Sequence, residues 1–264
     1  MSYNTLNFDL DTNTNVATVT LNRPDAANSL NLEMAEELAQ VANTCDTNPA
    51  VRAVIITGAG KMFCAGGDVQ SFGDAGDGLA MLAKNITSAL HSAISRFSRM
   101  RAPLIVAVNG TAAGAGFSIA LSGDIVLSAS NAKFTMAYTG IGAAPDGSSS
   151  YFLPRVVGHR RAMELMLTNR LLSAEEAVEW GIVNRAIPPE ELLDAANTLA
   201  EQLASGPTNS FGEVKKLLHM SSNNGLETQM EAESRAISSM LVSKDGREGV
   251  GAFLAKRKPT FTGE

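Results

Sequence analysis

Apolar positions along this chain repeat with two periods, and the switch between them marks out its elements. Alternation over residues 7–10 and 16–21, separated by a polar stretch at 11–15, predicts a β-hairpin. Asn31 stands ahead of a helix over 32–44, where Leu38, Val41 and Ala42 share one face. Residues 51–57 and 104–108 are nearly unbroken apolar runs, as in strands buried on both faces. Between them Leu79, Leu82, Ile86, Leu90, Ala93, Phe97 and Met100 recur at helical spacing, which predicts one long amphipathic helix over 79–100. A short helix follows at 117–122, then strands at 125–128 and 133–136. Ser173-Ala174-Glu175-Glu176 is a capping box whose helix ends at Gly181; 182–187 is the last predicted strand. After Gly206-Pro207 the pattern is helical, with segments at 209–220, 227–241 and 246–254. The repeated strand, loop and helix point to an α/β fold. Residues 1–205 would be its core. Residues 206–264 would be a helical region too small to bury its own apolar face.

Composition narrows the classes. At 264 residues and 45% hydrophobic, the chain can bury a sizeable core. No apolar run approaches the ~20 residues that span a bilayer, and residues 1–9 lack the charge and apolar core of a signal peptide. The cytoplasm is the expected location, with no membrane partner. Cys45 and Cys64 are the only cysteines, and no Cys/His cluster has metal-ligand spacing, so neither a disulfide framework nor a metal is expected. A net charge of −6 argues against a nucleic-acid surface.

The chemistry lies where the two buried strands empty. One runs into Gly58-Ala59-Gly60-Lys61-Met62-Phe63-Cys64-Ala65-Gly66-Gly67-Asp68, the other into Asn109-Gly110-Thr111-Ala112-Ala113-Gly114-Ala115-Gly116. Small residues leave backbone N–H groups open to a ligand. Two such groups converging on one carbonyl oxygen would stabilise negative charge there. Asp146 is the candidate for proton transfer, because the neighbouring stretch 141–145 is apolar and Ser148 to Ser150 can cap the following helix in its place. His91 stands at the edge of the long helix's apolar stripe, where a partly exposed histidine commonly has no role. Gly116-Phe117-Ser118-Ile119-Ala120 lacks the last glycine of a nucleophile elbow. Ile119 stands where a dinucleotide fingerprint has its third glycine. Cys64 has no neighbouring histidine and reads as a small buried thiol.

These loops resemble the two signature loops of the crotonase (enoyl-CoA hydratase/isomerase) superfamily, and the likeness runs nearly end to end. It includes Leu21-Asn22-Arg23-Pro24, Asn28-Ser29-Leu30, Pro145-Asp146-Gly147, Leu153-Pro154-Arg155, Trp180-Gly181-Ile182-Val183 and Glu248-Gly249-Val250-Gly251. The resemblance implies a spiral of ββα units with C-terminal helices that assemble a homo-trimer or a dimer of trimers. It implies an acyl-CoA thioester as substrate, with coenzyme A entering as part of that substrate and no tightly bound cofactor. Gly67 and Ala115 would supply the N–H pair. Ala27, Ala65, Gly66, Asp68, Val69, Gly114 and Tyr138 would line the substrate and coenzyme A groove, with Arg23 and Lys256 as candidate phosphate contacts. An acidic residue at Asp146 shuttles the proton in isomerases of this kind, including the ring-opening isomerases of phenylacetate breakdown. Hydratases instead use two glutamates, at the places held here by Ser118 and Tyr138, so an isomerase is the expected activity. The alternatives are a hydratase, an aryl-CoA dehalogenase or thioesterase using Asp146 and His91, and an inactive acyl-CoA-binding protein. Dehalogenases carry tryptophan where Tyr138 sits.

Overall fold

The computed structural model of the chain describes residues 3–264; Met1 and Ser2, the start of the N-terminal stretch read above, lie outside them. Strands β1 (Leu6–Asp11) and β2 (Val16–Leu21) form the antiparallel hairpin. Helix α1 (Leu32–Thr47) starts where the Asn31 side chain accepts the Met34 N–H at 2.9 Å. Next come β3 (Ala53–Gly58), β4 (Met62–Cys64), α2 (Val69–Asp74) and α3 (Leu79–Arg99). Then follow β5 (Leu104–Val108), β6 (Thr111–Ala113), α4 (Ala115–Leu121), β7 (Ile125–Ala129) and β8 (Lys133–Thr135). Helices α5 (Ser149–Val157) and α6 (His159–Thr168) lead to β9 (Leu172–Ser173), α7 (Ala174–Glu179) and β10 (Arg185–Ile187). The chain ends in α8 (Leu192–Ala204), α9 (Thr208–Ser221), α10 (Leu226–Val242) and α11 (Lys244–Leu254).

Two sheets share these strands. One has the order β1-β2-β3-β5-β7-β10, the other β4-β6-β8-β9. Each of β3, β5 and β7 lies in the first sheet and hands the chain directly to β4, β6 or β8 in the second. Three turns of this winding give the expected spiral of ββα units. Because β4, β6 and β8 pair in parallel, the loops that leave them emerge side by side. Every residue of β5 is buried, as its unbroken apolar run requires, and α8 lies across β3, β5 and β7. Helix α1 packs along α3.

Three expectations need correction. The glycine-rich segments 58–68 and 109–116, expected as loops, each contain a short strand of the second sheet, β4 and β6. The strand expected over 182–187 is only Arg185–Ile187, because the N–H groups of Ile182 and Val183 both turn back to Ala177 O. Ser148 does not cap α5 with its side chain: its backbone is left-handed, with φ 64°, and its hydroxyl donates to Gly147 O. The opening contacts come from Ser149, whose N–H and hydroxyl both reach the Asp146 carbonyl, at 3.1 and 2.8 Å.

The helices after Gly206 are tied to the core by buried polar contacts. Lys215 Nζ in α9 meets Asp124 Oδ2 at 2.6 Å and donates to the carbonyls of Phe97 and Ala102. Burial raises the Asp124 carboxyl and lowers the Lys215 ammonium, each by penalising its charged form. Leu218, Ile237 and Phe253 on α9 to α11 remain exposed, at 68%, 61% and 83%. No helix among the described residues is long and apolar enough to cross a membrane.

Candidate active site

The first loop is held by a single backbone bridge. Leu30 N–H donates to Gly66 O at 2.7 Å and Leu30 O accepts from Asp68 N–H at 2.9 Å, a parallel bridge centred on Gly67. Neighbouring amides of an extended strand point to opposite edges, so the Gly67 N–H faces away from Leu30. No acceptor among the described residues takes it. Gly66 has φ +101°, and a methyl there would lie 3.0 Å from Ala113 O and 3.5 Å from Gly114 Cα, so the two loops touch at glycine.

The second loop turns at Gly114, with φ 50° and ψ −122°, a backbone that non-glycine residues avoid. Its N–H donates to Thr135 O at 3.1 Å. Ala115 is then the first residue of α4, where the N–H has no partner within its own helix, and none elsewhere among the described residues takes it. Its φ is not positive, so the methyl costs the backbone nothing. The arrangement offers two unfilled donors on facing loops. Phe72 and Tyr138 flank them: a methyl on Gly67 would lie 2.7 Å from the Phe72 ring, and one on Gly114 4.0 Å from Tyr138 Cζ.

Other candidates fall into distinct places. Ala27 O accepts the Ala65 N–H at 3.0 Å, so Ala27 backs the first loop, and Val69 is 58% exposed on its outer side. Arg23 is engaged rather than free: it meets Asp68 Oδ2 at 2.8 Å and donates to Ser29 O. Burial opposes the Asp68 charge, but hydrogen bonds from Arg23 and from the Ser71 N–H outweigh it and hold the carboxyl below its ordinary value. Lys256 is exposed. The residues after it are anchored elsewhere, at the start of β3 and β5, where Arg52 donates to Phe261 O and Arg101 to Gly263 O. Burial pushes the Cys64 thiol up to about 11.

The third turn of the spiral brings in the carboxylate. Asp146 is half-buried, and its Oδ1 accepts the Tyr138 hydroxyl at 2.6 Å. Tyr138 in turn lies 2.9 Å from Ser118 Oγ. Burial and the adjacent Asp146 charge push the Tyr138 phenol well up, so it stays protonated. Sequence reasoning does not find this chain of three: it gives Tyr138 as a groove residue and both Ser118 and Tyr138 as departures from two glutamates, without linking them to Asp146. The signal was a hydroxyl at both positions. His91 Nε2 accepts the Gly147 N–H at 3.1 Å, so the histidine braces the Asp146 turn with its lone pair. Behind that turn α3, α5 and α9 enclose a cleft of about 1170 Å³ reaching from Asp146 and His91 to Ser98 and His219.

The family model for enoyl-CoA hydratase/isomerase matches residues 11–264. A 1,2-epoxyphenylacetyl-CoA isomerase of Escherichia coli K12 is 42% identical over 94% of this chain and 95% of its own length. A 4-chlorobenzoyl coenzyme A dehalogenase of an Arthrobacter species is 34% identical over 91% of this chain and 88% of its own. The crystal structure of an enoyl-CoA hydratase from Polaromonas superposes with a TM-score of 0.92 at 33% identity, covering 97% of this chain and 99% of that one. The chain belongs to the enoyl-CoA hydratase/isomerase family and has the crotonase fold.

Proposed function

We propose that the chain is an acyl-CoA isomerase that shifts a double bond through a thioester enolate, with Asp146 as proton shuttle. The observation that carries this is the company of Asp146. Ser118 and Tyr138 bring hydroxyls to the two places where a hydratase needs carboxylates, and the Tyr138 hydroxyl is committed to Asp146. Adding water takes one group to deprotonate it and another to protonate carbon, whereas moving a double bond takes one base that accepts and returns the same proton. The thioester oxygen lies between the Gly67 and Ala115 N–H groups, which stabilise the enolate as charge develops. Asp146 removes a proton from one carbon and delivers it to another. The coenzyme A portion runs along Ala27, Ala65, Gly66 and Val69, beside the Arg23–Asp68 pair and Gly114.

The hydrolytic and dehalogenating alternatives need His91 as a base toward water. Its Nε2 lone pair already receives the Gly147 N–H, which favours the isomerase. A relative named as a 1,2-epoxyphenylacetyl-CoA isomerase supports the same class of chemistry. The protein works in the cytoplasm as a homo-trimer or a dimer of trimers, which covers exposed apolar side chains such as Leu218 and Ile237. Lys256 then reaches a coenzyme A phosphate in the groove of its own or a neighbouring subunit. Light scattering that finds only monomer at micromolar concentration overturns the assembly.

The activity test compares 3-enoyl-CoA isomerisation with 2-enoyl-CoA hydration for the wild type and Asp146→Asn. Wild type should isomerise much faster than it hydrates, and the variant should lose about two to four orders of magnitude in kcat with acyl-CoA binding retained. Fast hydration by wild type, or undiminished isomerisation in the variant, overturns the reading.

A further inference from the structure

We propose that Ser118 and Tyr138 form a one-way hydroxyl relay that positions Asp146, fixing one carboxylate oxygen so that only the other exchanges the substrate proton. The inference rests on the isomerase reading and deepens it. An ionised carboxylate can only accept, so the Tyr138 hydroxyl donates its single proton to Asp146 Oδ1. The 2.6 Å separation is that of a charge-assisted O–H···O⁻ bond. With that proton committed, Ser118 Oγ at 2.9 Å is the donor to the phenol oxygen. The other acceptors open to Ser118, Asp146 O at 3.1 Å and Gly114 O at 3.2 Å, lie farther away. The relay therefore runs Ser118 to Tyr138 to Asp146.

Its two ends are locked together. Ser118 is fully buried on α4, and a methyl on Gly147 would lie 2.7 Å from Ser118 Cβ, so the helix and the Asp146 turn pack against each other. Both hydroxyls are spent on the base, which leaves Asp146 Oδ2 as the acceptor for the substrate. Removal and return of the proton by one fixed oxygen keep the transfer on one face of the enolate and limit its exchange with solvent. His91 and Arg99 from α3, Arg101, and Glu213, Lys216 and His219 from α9 share the cleft with Asp146. Tyr151 of α5 lines the cleft as well, and among the described residues Tyr138 is the only side chain with a hydrogen bond to the Asp146 carboxylate.

The test uses the full chain with Tyr138→Phe, Ser118→Ala and Asp146→Asn, each checked for folding by circular dichroism. For Tyr138→Phe, kcat should fall about 10- to 100-fold with KM nearly unchanged. In deuterated water its product should carry more solvent deuterium than the wild-type product. Ser118→Ala should shift both readouts the same way by less, and it decides the matter if Tyr138→Phe does not fold. A folded variant with the wild-type kcat and deuterium content overturns the relay. If Asp146→Asn is inactive while Tyr138→Phe matches wild type, the relay alone fails. If Asp146→Asn isomerises normally, both fail.

Discussion

The loop after β4 opens α2, none of whose residues is buried; the loop after β6 opens α4, whose residues are all buried. The two share the order strand, strand, glycine turn and helix, and each presents one unfilled N–H. They are held in different ways. The first is braced on the rim by polar contacts: the Leu30 bridge, the Arg23–Asp68 pair, and Asp68 capping α2 through the Ser71 N–H. The second has no side-chain cap and is held by packing, with Gly116 pressed against Cys64. One donor of the proposed oxyanion hole therefore depends on a few contacts that single substitutions remove, while the other moves only if the core moves.

The largest effect that would sharpen this contrast is on activity. Gly67→Pro deletes an N–H that no acceptor among the described residues takes, so turnover should fall about 100- to 1000-fold with little change in melting temperature. Steady-state kinetics beside circular dichroism decide it, and near-normal turnover in the folded variant removes Gly67 from the hole. Next in size is a pair of alanines. A methyl on Gly116 would lie 2.4 Å from the Cys64 carbonyl oxygen, which is backbone and cannot yield, whereas on Gly67 it meets the far end of the Phe72 ring. Gly116→Ala should cost about 3 kcal/mol in urea unfolding and Gly67→Ala less than about 1 kcal/mol. Equal losses would mean the loops are held alike.

The smallest effect tests the polar brace. Arg23→Ala leaves Asp68 mostly buried without its cation and should cost about 2 kcal/mol near neutral pH. Because the folded Asp68 carboxyl sits below its ordinary value of 3.8, the stability it supplies is present above that value. It is lost as pH falls through the folded value. The gap between variant and wild type should therefore be full at pH 7 and shrink below about pH 4, read from thermal melts at both. A gap independent of pH assigns the loss to packing of the arginine stem.

The legible features share a local cause. The capping box at Ser173 and Glu176 forms as read, since Ser173 Oγ accepts the Glu176 N–H and Glu176 accepts the Ser173 N–H. Helix α3 spans nearly all of its apolar stripe. The glycine loops stood out because each combines a strand ending with residues that tolerate close backbone approach. The six-residue strand expected over 182–187 failed because apolar content there reflects burial, which a tight turn into the core satisfies as well as a strand does. Arg23 is a candidate phosphate contact in the sequence, which says nothing of its ion pair. Its partner Asp68 is 45 positions away, and nothing near Arg23 in the chain announces it.

The sequence by itself determined the strands of the six-stranded sheet, the long helix α3, the two glycine loops and the single acidic candidate at Asp146, but not β4 or β6, because strand, helix and turn preferences act within a few residues. The tertiary structure decided what those residues do to one another. Parallel pairing of β4, β6 and β8 sets the three loops side by side, and that brings Ser118, Tyr138 and Asp146 within hydrogen-bonding distance. It also spends the His91 lone pair on the Gly147 N–H. Such bonds follow from register and packing between segments far apart in the chain, which no local pattern encodes.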